Sequence, residues 1–154
     1  MSDKTIVEGI RDFIKGCPYL NEFHKGISVD YLGEKTSSYS IEGIPTQPVI
    51  KRYIDGSAEK QYLFVFSSRE AYGNDVFQNL ENLGFYEHFS KWIEQQSILG
   101  NLPNIGEDRE AKRIECLTTG YTGEVMDMQM DKCRYQIQCR LVYFEKSLVD
   151  ALFN

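Results

Sequence analysis

Apolar positions change period several times along the chain, and each change marks a new element. Ile6, Ile10, Phe13 and Ile14 recur every three to four residues, which places them on one helical face. Thr5 and Glu8 stand at capping-box spacing: the Thr5 hydroxyl can accept from the Glu8 amide, and the Glu8 side chain can reach back. Gly16 and Pro18 stop this helix, predicted at about residues 5–15. The period then shortens to two. Ile27, Val29 and Tyr31 alternate with polar residues, Tyr39, Ile41 and Gly43 do so again, and Val49 to Ile54 is a third candidate strand. Gly33, Gly43, Pro45, Pro48 and Gly56 punctuate them. Tyr62-Leu63-Phe64-Val65-Phe66 is apolar on both faces, which predicts a central strand covered on both sides, by helices or by a neighbouring subunit, and closes a strand region at about 27–66.

A helical period returns after Asn74, a good N-cap. Val76, Leu80 and Leu83 form one stripe, and Phe85, Phe89, Trp92 and Ile93 form another. At about 100° per residue the two stripes lie on nearly opposite sides, so one straight helix could not bury both in one core. A break near Gly84 is expected, giving a short helix and then a longer one over about 74–98. Residues 101–111 look like a polar loop. Ile114 to Tyr121 and Tyr135 to Phe144 read as two long strands within a hairpin over about 112–145, joined by a long connection from Thr122 to Lys132. In the second strand Ile137, Cys139, Leu141 and Tyr143 face one way, and Gln136, Gln138, Arg140, Val142 and Phe144 the other. A short apolar tail, about 147–154, follows. Helices and paired strands together predict an α+β fold in one domain spanning 1–154.

Composition narrows the function. The 154 residues and 42% hydrophobic content suffice for one core, and aromatics at 13% favour strands and large contact surfaces. The net charge of -6, without a Lys/Arg stripe, argues against gripping DNA phosphates or anionic membranes. Met1-Ser2-Asp3-Lys4 leads into polar sequence without an apolar signal region, so a cytosolic origin is expected unless the chain is packaged into something. Cys17, Cys116, Cys133 and Cys139 form no C-x-x-C pair and read as reduced structural thiols.

Chemical motifs are weak. Gly33-Glu34-Lys35-Thr36 resembles the end of a phosphate-binding loop, but Glu34 separates Gly33 from Lys35 and Gly26 is misplaced, so a turn is expected. His24 and His88 lack a nucleophile elbow or an H-E-x-x-H partner and read as surface or packed histidines. Ser67-Ser68-Arg69-Glu70 closes the central strand, where ligands often bind in α/β sheets; without a Gly-rich cradle it reads as a turn with an Arg69–Glu ion pair. No catalytic, cofactor or metal site is expected. Met126, Met128 and Met130 alternate with Asp127, Gln129 and Asp131; the first reading is a hairpin tip of half-buried methionines, the second a soft partner contact, and the third a weak metal site.

Longer strings carry a resemblance. Phe66-Ser67-Ser68-Arg69-Glu70-Ala71-Tyr72-Gly73, Gln78-Asn79-Leu80-Glu81-Asn82, Gly84-Phe85-Tyr86-Glu87 and Trp92-Ile93-Glu94 resemble the middle of a small phage protein. Ile114-Glu115-Cys116-Leu117-Thr118 and Arg134-Tyr135-Gln136-Ile137-Gln138-Cys139-Arg140-Leu141 resemble its end. The family is that of minor capsid or tail-terminator proteins in long-tailed phages and prophages of Gram-positive bacteria, and the resemblance spans about residues 5–145. It implies a tail-terminator-like α+β fold, a mostly antiparallel mixed sheet flanked by helices, and a virion protein at the head–tail junction, forming a ring, usually hexameric, that caps the tail tube and meets the head–tail connector, with genomic DNA passing without specific binding. A stopper or another minor capsid protein is the alternative within that class; a small ligand-binding α+β protein or enzyme is the alternative outside it. Contacts through loops and edges are expected, at Met126, Asp127, Met128, Met130 and Asp131 on the hairpin tip, in the Gly33–Pro48 region, and at Leu148, Val149, Leu152 and Phe153 in the apolar tail.

Overall fold

The computed structural model describes residues 4–20, 27–29, 38–71, 76–125 and 132–153. Two 14-residue strands form its spine. β4 (Ala58–Ala71) and β7 (Lys132–Glu145) pair antiparallel along their whole length, from Ala58 opposite Glu145 to Ala71 opposite Lys132. The other edge of β4 is shared by β2 (Ser38–Ile44) and β3 (Val49–Arg52), and the other edge of β7 by β5 (Arg109–Cys116) and β6 (Tyr121–Val125). β1 (Ile27–Val29) adds to β2 in parallel, and every other pairing is antiparallel. With helices α1 (Ile6–Ile14), α2 (Val76–Leu99) and α3 (Leu148–Phe153), this is an α+β fold on a mostly antiparallel sheet.

The period of two decides which sheet face is wet. Register sets Phe66 between Ile41 and Ile137, and Phe64 beside Cys139, all five fully buried. α1 and α2 cover this face. Phe89 stacks on Phe66 with centroids 4.7 Å apart, and Phe13 meets Trp92 at 4.9 Å. Each such side chain contributes about 1.5–3 kcal/mol on leaving water. The Tyr86 hydroxyl, buried among them, donates to the Tyr135 carbonyl at 3.0 Å. Its single proton being used, it accepts from Ser68 Oγ at 2.7 Å.

α1 follows its pattern. Ile10 and Ile14 are fully buried, Ile6 and Phe13 pack against the core, and Thr5 Oγ1 accepts from the Glu8 amide at 3.2 Å. The return arm differs: the Glu8 carboxylate accepts from the Thr5 hydroxyl at 3.1 Å. Gly9 is where α1 meets the 101–106 segment. A Cβ there would lie 2.3 Å from the Asn104 carbonyl oxygen, so only glycine permits this approach.

The expected break at Gly84 is absent, since α2 is one continuous 24-residue helix. The second stripe, Phe89, Trp92 and Ile93, enters the core, while Leu83 of the first stripe stays exposed. Leaving an apolar side chain in water costs less than interrupting the hydrogen-bond ladder. Gly84 disfavours helix by only about 1 kcal/mol relative to Ala, too little to break it.

Boundaries in the C-terminal half also move. The expected strand Ile114–Tyr121 instead runs from Arg109 to Cys116; three of its eight residues, Glu110, Lys112 and Arg113, are exposed and charged, which in composition resembles a loop. The chain leaves the edge of β7 at Leu117–Gly120, where Gly120 lies against Tyr86 too closely for a Cβ (2.4 Å). It returns as β6, so part of the expected Thr122–Lys132 connection is strand. Ser67-Ser68-Arg69-Glu70, expected as a turn, belongs to β4, which continues to Ala71. The second face of the central strand does bury Val65, but its neighbours there are polar rather than helical. The tail is helical as α3. No helix among the described residues is long and apolar enough to cross a membrane.

Candidate interaction surface

The start of β4 and the end of β7 meet at one end of the sheet, and the chain emerging there builds a fixed platform. The β3–β4 turn closes with the Tyr53 amide on the Ser57 carbonyl (2.9 Å) and the Gly56 amide on the Tyr53 carbonyl (3.0 Å). Asp55 Oδ1 accepts from both the hydroxyl and the amide of Ser57, and these bonds hold its carboxyl below the ordinary aspartate range. Gly56 has φ 91°, in the left-handed region, and a Cβ there would sit 2.5 Å from Ser147 Oγ. Buried Ser147 accepts from the Val149 amide at 3.1 Å, which starts α3, and the Lys146 amide bonds the Asp108 carbonyl at 2.9 Å.

On this platform α3 presents its apolar residues to water. Leu148, Val149, Leu152 and Phe153 are 70%, 56%, 74% and 80% exposed. The β3–β4 turn runs beside it, carrying Ile54, fully exposed, and Tyr53, also exposed. Apolar side chains gathered on one projecting element are the usual mark of a contact surface. An open groove of about 430 Å³ lies at the base of α3, between Gly106–Arg109 and Glu145–Asp150. Arg109 forms part of its wall, donating to the Lys4 carbonyl at 2.7 Å and the Ile105 carbonyl at 3.0 Å, and so ties the α1 approach to β5. Its lining mixes the acidic Glu107, Asp108, Glu145 and Asp150 with the basic Lys4, Arg109 and Lys146.

The sheet face away from α1 and α2 carries a polar ladder. Arg134 donates to Glu42 (2.8 Å), Ser67 (2.9 Å) and Gln136 (2.8 Å). Gln136 and Gln138 both donate to the Tyr121 hydroxyl, at 2.8 and 2.9 Å. Arg140 grips both Glu115 oxygens at 3.1 Å. The ladder pairs its charges internally and ties β2, β4, β7, β5 and β6 together.

A third cluster lies beneath α2. Cys116 and Cys139 are direct partners across β5 and β7, with Sγ atoms 3.7 Å apart. The Leu117 amide bonds the Gln138 carbonyl at 2.7 Å, which makes the cysteines a non-hydrogen-bonded pair, the antiparallel geometry in which side chains come closest. Cys139 is fully buried, whereas Cys116 is partly exposed at the floor of a groove of about 340 Å³ bordered by Ser90, Glu94, Ser97 and Arg113.

The residues expected from sequence divide three ways. Leu148, Val149, Leu152 and Phe153 are brought together and exposed. Met126, Asp127, Met128, Met130 and Asp131, together with His24 and the Gly33–Thr36 segment, lie outside the described residues. His88 stacks on Tyr19 at 4.9 Å on the surface. Ile54 beside α3 and the cysteine pair were not anticipated. The pair had one signal: Cys116 shares strand parity with Ile114, and Cys139 with Ile137, so both thiols belong to the core face. A scan against protein-family models and a search among curated proteins return no match.

Proposed function

We propose that the chain is a non-catalytic assembly protein of a long-tailed phage or prophage particle, acting as a tail terminator at the head–tail junction. The observation supporting a contact role is α3, which holds Leu148, Val149, Leu152 and Phe153 in water on a hydrogen-bonded base. A four-residue apolar surface on a rigid mount is costly to leave bare, and a neighbouring subunit or tube protein would remove it from water. The step from contact role to tail terminator comes from the sequence resemblance across about residues 5–145. An acidic chain of net charge -6 agrees with a ring through which DNA passes without being held.

On this reading the partners are further copies of the chain in a ring, the tail tube protein and the head–tail connector. Electron microscopy of particles produced with and without the protein tests it. Particles lacking the chain should carry tails of abnormal length or unattached to heads. Tails of normal length and attachment in its absence would end the terminator reading.

A further inference from the structure

We propose that Cys116 and Cys139 form a reactive dithiol site, which gives two electrons to a low-molecular-weight disulfide and closes as a cross-strand bond between β5 and β7. The inference is independent of the assembly reading, since it rests on the geometry beneath α2 alone.

Backbone register already does most of the positioning. A disulfide requires Cα atoms about 4.4–6.8 Å apart, and a non-hydrogen-bonded antiparallel pair holds them at about 4.5 Å. The Sγ atoms stand 3.7 Å apart, so closure to about 2 Å needs side-chain rotation and no change in strand pairing. Both cysteines project from the face beneath α2, and the two differ in access. Cys116 lines the groove beside Ser90 and Glu94, whereas Cys139 has no exposure. An attacking and a resolving thiol are therefore distinguished by position.

Electrostatics supports the same division. The Cys116 thiol is lowered from its ordinary value, first by its hydrogen bond with Cys139 and then by one with Ser90, against the opposing effects of burial and of Glu94. Burial pushes the Cys139 thiol well up, and the neighbouring Cys116 adds to this. The thiolate is the nucleophile, so Cys116 reacts first.

The exchange balances in two steps. Cys116 Sγ, as thiolate, attacks one sulfur of the small disulfide; the old sulfur–sulfur bond breaks and one small thiolate departs, taking up the Cys116 proton. Cys139 Sγ then attacks Cys116 Sγ in the mixed disulfide. The second small thiol leaves with the Cys139 proton, and the intrachain bond remains. Two protein thiols lose two electrons and two protons, and the small disulfide gains both. The closed loop contains β6 and reaches the chain on either side of it, so the bond would staple the edge strands to β7. In a reducing cytosol the pair stays open; in oxidising surroundings it closes.

The test uses the full-length chain, reduced and freed of reductant, then treated with oxidised glutathione at mildly alkaline pH. Intact mass and peptide mapping should show the loss of two hydrogens, with Cys116 linked to Cys139. The unfolding midpoint should rise by roughly 5–10 °C and return on reduction. Cys139→Ser should arrest at one glutathione on Cys116, and Cys116→Ser should leave Cys139 unmodified. Phenylarsine oxide, which bridges two neighbouring thiols, should bind the wild type at one equivalent and mask both cysteines. If Cys139→Ser does not fold, mapping and arsenical binding on the wild type decide the matter. The proposal is overturned if glutathione leaves both thiols intact, if the bond formed joins Cys17, Cys133 or a second chain instead, or if the arsenical fails to mask the pair.

Discussion

α1 and α3 carry much the same kind of residue and meet opposite fates. Both are short helices with a large aliphatic and aromatic share. In α1, Ile10 and Ile14 vanish into the core and Gly9 lets the helix backbone touch the 101–106 segment. In α3, four large apolar side chains stay in water although the helix is firmly mounted at Ser147. Apolarity alone therefore does not say where a stripe will go. What separates the two helices is whether the sheet offers a vacant apolar face within reach. The face beneath α1 is continuous from β2 to β5, whereas α3 begins where β7 ends and, among the described residues, has the β3–β4 turn and a charged groove beside it.

The comparison can be broken experimentally, most severely at α1. Ile14→Ala removes a fully buried side chain and should cost about 2–5 kcal/mol in urea unfolding. Gly9→Ala should cost about 1–3 kcal/mol, since the added methyl meets the Asn104 carbonyl and the Ile105 side chain and neither helix nor segment can give way freely. A fully stable Gly9→Ala protein would show that α1 is not pressed against that segment.

At α3 the expectation inverts. Leu152→Ser combined with Phe153→Ser should change stability by no more than about 0.5 kcal/mol, because neither side chain is buried. The same double variant should impair incorporation into particles, read by quantifying the chain in purified virions. A large loss of stability would mean that α3 packs on its own subunit; unchanged incorporation would remove α3 from the contact surface.

The smallest effect concerns acid. The hydrogen bond with Lys4 holds the Asp12 carboxyl on α1 below its ordinary value of 3.8. A depressed folded-state value contributes stability that is present above the ordinary value and lost as pH falls through the folded one. Asp12→Asn should therefore unfold at nearly the same midpoint as wild type near pH 2 and slightly below it at pH 6. A constant offset across that range would exclude the linkage.

Much of the fold is legible in the chain because local periodicity reports burial. The alternation in β7 assigned Ile137, Cys139, Leu141 and Tyr143 to one face, and all four are buried there. Val142 on the other face is buried as well, which alternation could not reveal, since it depends on what surrounds that face. Arg109, Glu110, Lys112 and Arg113 disguised the start of β5 as loop, because an edge strand with a solvated face needs no apolar run. The continuity of α2 through Gly84 was hidden for a different reason. Stripe geometry shows which residues cannot be buried together, but not that a helix will leave one of them exposed rather than break.

Residue order by itself determined the capped start of α1, the strand periods, the apolar tail and the absence of a basic stripe, since each depends on neighbours a few positions away. Tertiary structure alone decided the rest. It set Cys116 opposite Cys139, tied Arg134 to Glu42 across β4, and left α3 in water beside Ile54. Those outcomes turn on strand register and on which surfaces remain vacant, and a one-residue slip in register would carry every side chain of a strand to the other face.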